Sequence, residues 1–130
     1  MSRKHQLAEL QLAIMQVLWE QGEATVAAVQ GALRPRRELA YTTVGTMLAK
    51  MEANGQVAHR SDGRVNIYRP LLHREQVSRS MVNDLAERLF HGDVADLMCH
   101  LLDGCDVSRE ELVRLRQLIR DKERELRDAE

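Results

Sequence analysis

Residues 40–55, Ala-Tyr-Thr-Thr-Val-Gly-Thr-Met-Leu-Ala-Lys-Met-Glu-Ala-Asn-Gly, leave the chain little choice but one amphipathic helix. Val44, Met47, Leu48 and Met51 fall at i, i+3, i+4 and i+7, the spacing of a stripe that packs inward. Asn54-Gly55 supplies a left-handed stop. Thr42, Thr43, Thr46 and Lys50 occupy the remaining arc, with side chains of a size to reach base edges and phosphates in a major groove. Tyr41, at the start, either stacks on a sugar or thymine methyl or packs under the helix. A short polar face is by itself an ordinary solvated surface, so its neighbours must decide its use.

Upstream, Leu7, Leu10, Ile14, Val17 and Leu18 repeat at helical spacing and Gly22 supplies a stop, which predicts a first helix over about 7–20. Thr25 is a good N-cap for a short second helix carrying Val26, Val29 and Leu33, and Pro35 prevents its continuation. Downstream the period changes. Val57-Ala58-His59-Arg60 and Arg64-Val65-Asn66-Ile67-Tyr68-Arg69 flank Ser61-Asp62-Gly63 as a hairpin, closed by Pro70. Three helices and a two-stranded wing make a winged helix-turn-helix, whose third helix enters the major groove while the hairpin follows the backbone. Arg60 and Arg64 then flank the wing tip, where each can meet a phosphate.

The net charge of −1 is unusual for a DNA binder only while the chain is taken whole. Residues 1–70 hold nine Lys+Arg against six Asp+Glu, a balance of +3, and residues 71–130 hold ten against fourteen, a balance of −4. The basic excess sits with the winged helix.

The second half carries three further amphipathic helices. Val77, Met81, Val82, Leu85, Leu89 and Phe90 form a stripe from about Arg74 to Gly92. Val94, Leu97, Met98, Leu101 and Leu102 form another between Asp93, as N-cap, and Gly104. Ser108-Arg109-Glu110-Glu111 is a capping box opening a third, with Leu112, Leu115, Leu118, Ile119 and Leu126 inward and a final turn expected to fray. A winged helix of about 70 residues is too small to cover all three stripes. Pairing with a second copy would, so Met81, Leu85, Leu89, Leu97, Leu101, Leu112, Leu115 and Ile119 are assigned to a homodimer. One monomeric helical bundle is the alternative. The fold class is thus mainly α, with a winged-helix domain over 1–72 and a helical dimerisation domain over 73–130.

No apolar run approaches the roughly 20 residues that span a bilayer, and the N-terminus lacks the apolar core of a signal peptide. With only two cysteines and no disulfide framework, the chain reads as cytoplasmic, with no membrane insertion. Cys99, His100, Cys105 and His91 could be offered as metal ligands, but Cys99 and His100 are adjacent and diverge by about 100° on a helix. They read as buried cysteines and surface histidines, with no metal and no cofactor. His5, His59 and His73 have no catalytic spacing, and there is no phosphate loop or nucleophile elbow. No enzymatic activity is expected.

Leu-Ala-Glu-Leu-Gln-Leu-Ala-Ile-Met-Gln-Val-Leu-Trp-Glu at 7–20, Ala-Tyr-Thr-Thr-Val-Gly-Thr-Met-Leu at 40–48 and Gly-Arg-Val-Asn-Ile-Tyr-Arg-Pro-Leu at 63–71 resemble the BlaI/MecI penicillinase-repressor family, which includes the CopY copper repressors. The resemblance covers nearly the whole chain and is sharpest over 7–72. It implies a homodimeric repressor binding an inverted-repeat operator in double-stranded DNA, as relatives do at β-lactamase, penicillin-binding-protein and metal-transport genes. It also implies that the base- and phosphate-contacting positions fall on Thr42, Thr43, Gly45 and Thr46, where relatives often carry Lys or Arg at the first and third.

In one branch of the family, repression is relieved when a membrane-bound sensor protease pathway cleaves the dimerisation helices. In another, metal binds a cysteine cluster. The Asn-Phe cleavage pair would align near His100-Leu101 and is absent, as are the Cys-x-Cys motifs, so neither release route transfers to these residues. The competing reading is a winged-helix protein-interaction module whose threonine face meets a protein.

Overall fold

In the computed structural model, which describes residues 7–130, the element order is α1 (Glu9–Gln21), β1 (Ala24–Thr25), α2 (Val26–Leu33), α3 (Tyr41–Ala53), β2 (Val57–Asp62), β3 (Val65–Pro70), α4 (Arg74–Phe90), α5 (Val94–Gly104) and α6 (Arg109–Asp128). His5 and the first residues of the segment read as lacking a signal-peptide core lie outside the described residues.

The periodic residues do what their spacing demands. Ile14, Met15 and Leu18 of α1, Val29 of α2, Val44, Leu48 and Met51 of α3, Val57 of β2 and Val77 of α4 are fully buried in one core. Thr25 caps α2, its Oγ1 accepting from the Ala28 amide at 3.1 Å. Trp19 packs against this core, and its indole Nε1 donates to the Leu72 carbonyl at 2.8 Å, which ties α1 to the chain leaving the wing.

Three details of the sheet and of α4 differ from the sequence reading. The sheet has three strands in the order β1-β3-β2, because the Ala24-Thr25 step pairs antiparallel with Tyr68 and Ile67. Two residues are too few to register as a pattern. The wing turn is also shorter than expected, since Ser61 and Asp62 pair with Asn66 and Val65, leaving Gly63-Arg64 as the loop. Gly63 has φ +65°, and a two-residue hairpin with glycine in its first central position twists as the strands require. Third, Met81 packs against the N-terminal core, not on the dimerisation stripe, because it lies one turn beyond buried Val77 on the same side of α4.

One compact unit ends at Asp84 and the second spans Leu85–Glu130, a division that falls inside α4, later than residue 72. Within the second unit, Asp93 caps α5 through the Asp96 amide at 3.0 Å. Ser108 and Glu111 form the reciprocal capping box of α6 at 3.1 and 3.3 Å. Helix α6 continues to Asp128, further than the frayed end expected.

Neither α5 nor α6 has a buried residue. Met98 and Leu102 of α5 face Leu112, Leu115 and Ile119 of α6 across an open apolar groove of about 550 Å³, edged by Arg109 and Arg116. Leu85, Leu89 and Leu101 are exposed and Leu97 is half-buried. Cys99 and Cys105 are exposed free thiols, contrary to the buried cysteines expected: Cys99 lies off the Met98–Leu102 stripe and nothing in the unit covers it. His100 lies 3.8 Å from Asp96 and meets the Phe90 ring edge-on.

Candidate nucleic-acid interface

Helix α3 is divided cleanly by burial. Val44, Leu48 and Met51 are sealed in the core and Met47 is half-buried, while Tyr41, Thr42, Thr43, Thr46 and Lys50 are exposed. Thr42, Thr46 and Lys50 are spaced i, i+4, i+8 and form one ridge along the helix. Tyr41 is 53% exposed and so is not packed under the helix. Ala49, not singled out from the sequence, is exposed three residues beyond Thr46 and adds a small apolar spot to the ridge.

Gly45 is placed differently from its neighbours. It is half-buried, and a Cβ there would lie 3.9 Å from Val26 Cγ1 of α2, an ordinary van der Waals contact. The glycine is therefore not required by close packing and costs helix propensity. Gly45→Ala is expected to stabilise the winged helix by about 0.5–1 kcal/mol and raise its melting temperature by about 4 °C. A thermal melt that moves downward would show that the α2–α3 contact is tighter than this spacing implies.

Both ends of α3 are held. Before it, Gln30 Nε2 of α2 donates to the Leu39 carbonyl at 2.9 Å, and Arg37 pairs with Glu9 of α1. After it, the Glu52 carboxylate accepts from the His59 amide of β2 at 3.0 Å and lies 2.7 Å from His59 Nδ1. The His59 ring in turn lies 5.4 Å from that of buried Tyr68. The Glu52–His59 contacts tie the end of α3 to β2, while the Gln30 and Arg37 contacts tie the segment before α3 to α2 and α1.

At the hairpin, Leu71 donates to the Gln56 carbonyl at 2.9 Å and closes its base. Arg64 sits in the two-residue turn, exposed. Arg60 is two pairs back from the turn and is engaged: its Nη2 lies 2.9 Å and its Nε 3.4 Å from the two carboxylate oxygens of Glu23. That hydrogen-bonded guanidinium, helped by the charge of Arg69, holds the Glu23 carboxyl below its ordinary range, and Glu23 raises Arg60. The pair is therefore complete at neutral pH and is lost only as acid protonates Glu23 below the usual carboxylate range.

Arg34 and Arg36, exposed in the turn between α2 and α3, are further cations beside the helix entrance that the sequence reading did not assign. The run Arg34-Pro35-Arg36-Arg37 was the signal available for them. Among the described residues no group of three or more His, Cys, Asp or Glu side chains could hold a metal ion, and no helix is long and apolar enough to cross a membrane.

The penicillinase repressor family model matches residues 7–121, spanning the winged helix and most of the C-terminal helices. The chain belongs to that family. The transcriptional regulator BlaI of Mycobacterium tuberculosis is 33% identical over 116 residues, covering 88% of this chain and 84% of that protein. The penicillinase repressor of Bacillus licheniformis is 22% identical over 121 residues, 93% of this chain and 94% of its own. Among solved structures, the DNA-binding domain of the repressor BlaI superposes with a TM-score of 0.50 at 25% identity, covering 58% of this chain and 93% of that domain. As a penicillinase-repressor family member, the chain keeps the winged helix-turn-helix, with Thr42 exposed and Gly45 half-buried on α3.

Proposed function

We propose that this chain is a homodimeric transcriptional repressor that reads an inverted-repeat operator in double-stranded DNA, with α3 in the major groove and the β2–β3 hairpin along the backbone. The observation that carries this reading is the split of α3: a fully buried stripe of Val44, Leu48 and Met51 opposite an exposed ridge of Thr42, Thr46 and Lys50, held at both ends. A helix held this way presents short hydrogen-bonding side chains in a fixed register, which is what base-edge readout needs. Family membership and the BlaI domain superposition support the same reading.

Roles divide by chemistry. Thr42, Thr43 and Thr46 face bases, with Tyr41 and Gly45 at the helix entrance. Lys50, Arg64 and the turn arginines Arg34 and Arg36 meet phosphates, a sequence-independent contact that sets orientation. Leu85, Leu89, Leu97, Leu101, Leu112, Leu115 and Ile119 supply the dimer face, and two copies set the half-site spacing at one or two helical turns. The first half of α4 packs with the DNA-binding unit, and the helices from Leu85 onward pair the protomers.

Selection of short genomic duplexes by the purified chain, followed by titration of the best duplex at several salt concentrations, tests the proposal. Recovery of an inverted repeat bound by two protomers, with affinity falling steeply in salt, is expected. Weak, salt-indifferent association would sink it. Within the selected site, Arg64→Ala is expected to weaken binding to all sequences alike and to reduce the salt slope by about one, whereas Thr46→Ala changes the ranking among duplexes at about 1–3 kcal/mol for the affected base. Identical behaviour of the two variants on selected and random DNA would refute this division of roles.

A further inference from the structure

Glu23 lies in the short link between α1 and β1, and its partner Arg60 lies on β2, 37 residues later in sequence. The central strand β3 separates them: Ile67 pairs with Thr25 on one side and with Arg60 on the other. The Glu23 carboxylate receives both Nη2 and Nε of Arg60, a two-point fork that reaches across the full width of the sheet. Both side chains remain about half exposed, so Arg60 would lie within reach of a phosphate were Glu23 not holding it.

We propose that Glu23 is a specificity-determining positioning residue. By occupying the Arg60 guanidinium it withholds that cation from the DNA backbone and braces the wing, leaving Arg64 at the turn as the wing's phosphate contact. The inference rests on the DNA-binding reading above. A phosphate contact strengthens binding to every sequence equally, so a cation kept from the backbone lowers the non-specific background while the base-reading ridge of α3 is untouched. The acidic partner thereby widens the gap between operator and random duplex.

The test uses the full chain, its selected duplex and a random duplex of equal length, with affinities measured between 50 and 200 mM KCl. Glu23→Ala releases Arg60 and is expected to steepen the salt slope by about 0.9, a further threefold or so in salt response over that range, and to raise random-duplex affinity more than operator affinity. Glu20→Ala, which removes an exposed carboxylate of α1, controls for the same change in net charge. Arg60→Gln is expected to leave the slope as in the parent chain. The double variant Glu23→Arg with Arg60→Glu rebuilds the pair in reverse and should restore the parent slope, an outcome that loss of fold does not mimic. Thermal melts of each variant confirm folding.

A slope that falls by about 0.9 in Arg60→Gln and is unmoved in Glu23→Ala would overturn the proposal, showing that the pair opens and Arg60 meets a phosphate. Equal steepening in Glu20→Ala and Glu23→Ala would overturn it too, reducing the effect to net charge. A parent chain without salt-dependent DNA binding would instead overturn the DNA reading itself, and is told apart by the first titration.

Discussion

Leu48→Ala is expected to destabilise the winged helix by about 3 kcal/mol, within the roughly 2–5 kcal/mol found for leucine-to-alanine changes in well-packed cores. Leu48 is fully buried between Val44 and Met51 on the inward side of α3, among side chains from α1 and α2 as well as its own helix. Removing three carbons there leaves a void that α1 and α2 cannot collapse into without losing their own contacts. Small domains have roughly 5–15 kcal/mol of total stability, so the loss is a large fraction of it and corresponds to a fall of about 15 °C in melting temperature. Denaturant unfolding of the variant and the parent chain measures it directly. A cost below about 1 kcal/mol would mean that α3 is not seated as described, and the exposed ridge of threonines would lose its register with it.

The second large effect is on assembly. Ile119→Glu places a charge on the proposed dimer face, beside Leu112 and Leu115. Ile119 is 57% exposed within the chain, so the substitution costs the isolated fold little. In a dimer it would bury a carboxylate among apolar side chains, a desolvation cost that Arg116 one turn away offsets only in part, and the interface would yield. Sedimentation is expected to shift from two protomers to one at micromolar concentration. Operator affinity should fall by about 10²–10⁴-fold, the gain that joining two binding modules ordinarily provides. Glu123→Gln, on a charged stretch of the same helix, should leave both unchanged. If Ile119→Glu remains dimeric, the groove between α5 and α6 is not the pairing surface.

How much of this was legible in the sequence follows from how local each signal is. The helices were visible because their buried residues recur every three or four positions, and their starts because Thr25, Asp93 and Ser108 carry the side-chain oxygens that cap the next turn. The recognition ridge was visible for the same reason: Thr42, Thr46 and Lys50 are simply what remains once the inward stripe is assigned.

What stayed hidden was contact between distant residues. Strand β1 is two residues long and exists only because β3 lies beside it. The Glu23–Arg60 pair joins positions that no local pattern relates, so Arg60 read as a free cation at the wing tip. Met81 belonged by spacing to one continuous stripe on α4, and only packing shows that the stripe is shared between the N-terminal core and the exposed leucines that follow. The first wing strand was ended two residues early because Ser61 and Asp62 are turn formers by type and strand residues by pairing.

The hydrogen bond from Trp19 to the Leu72 carbonyl spans 53 residues, and β1 reaches across nearly as much chain to pair with β3. The helix-turn-helix therefore lacks its closing contacts until the whole hairpin has been synthesised. During translation α1, α2 and α3 leave the ribosome before the strand that fastens them, and must wait with their apolar sides incompletely covered. The wing, the last part of this unit's sheet to emerge, fastens three adjacent helices together, and Val77 and Met81 of α4 must follow it before the core is closed.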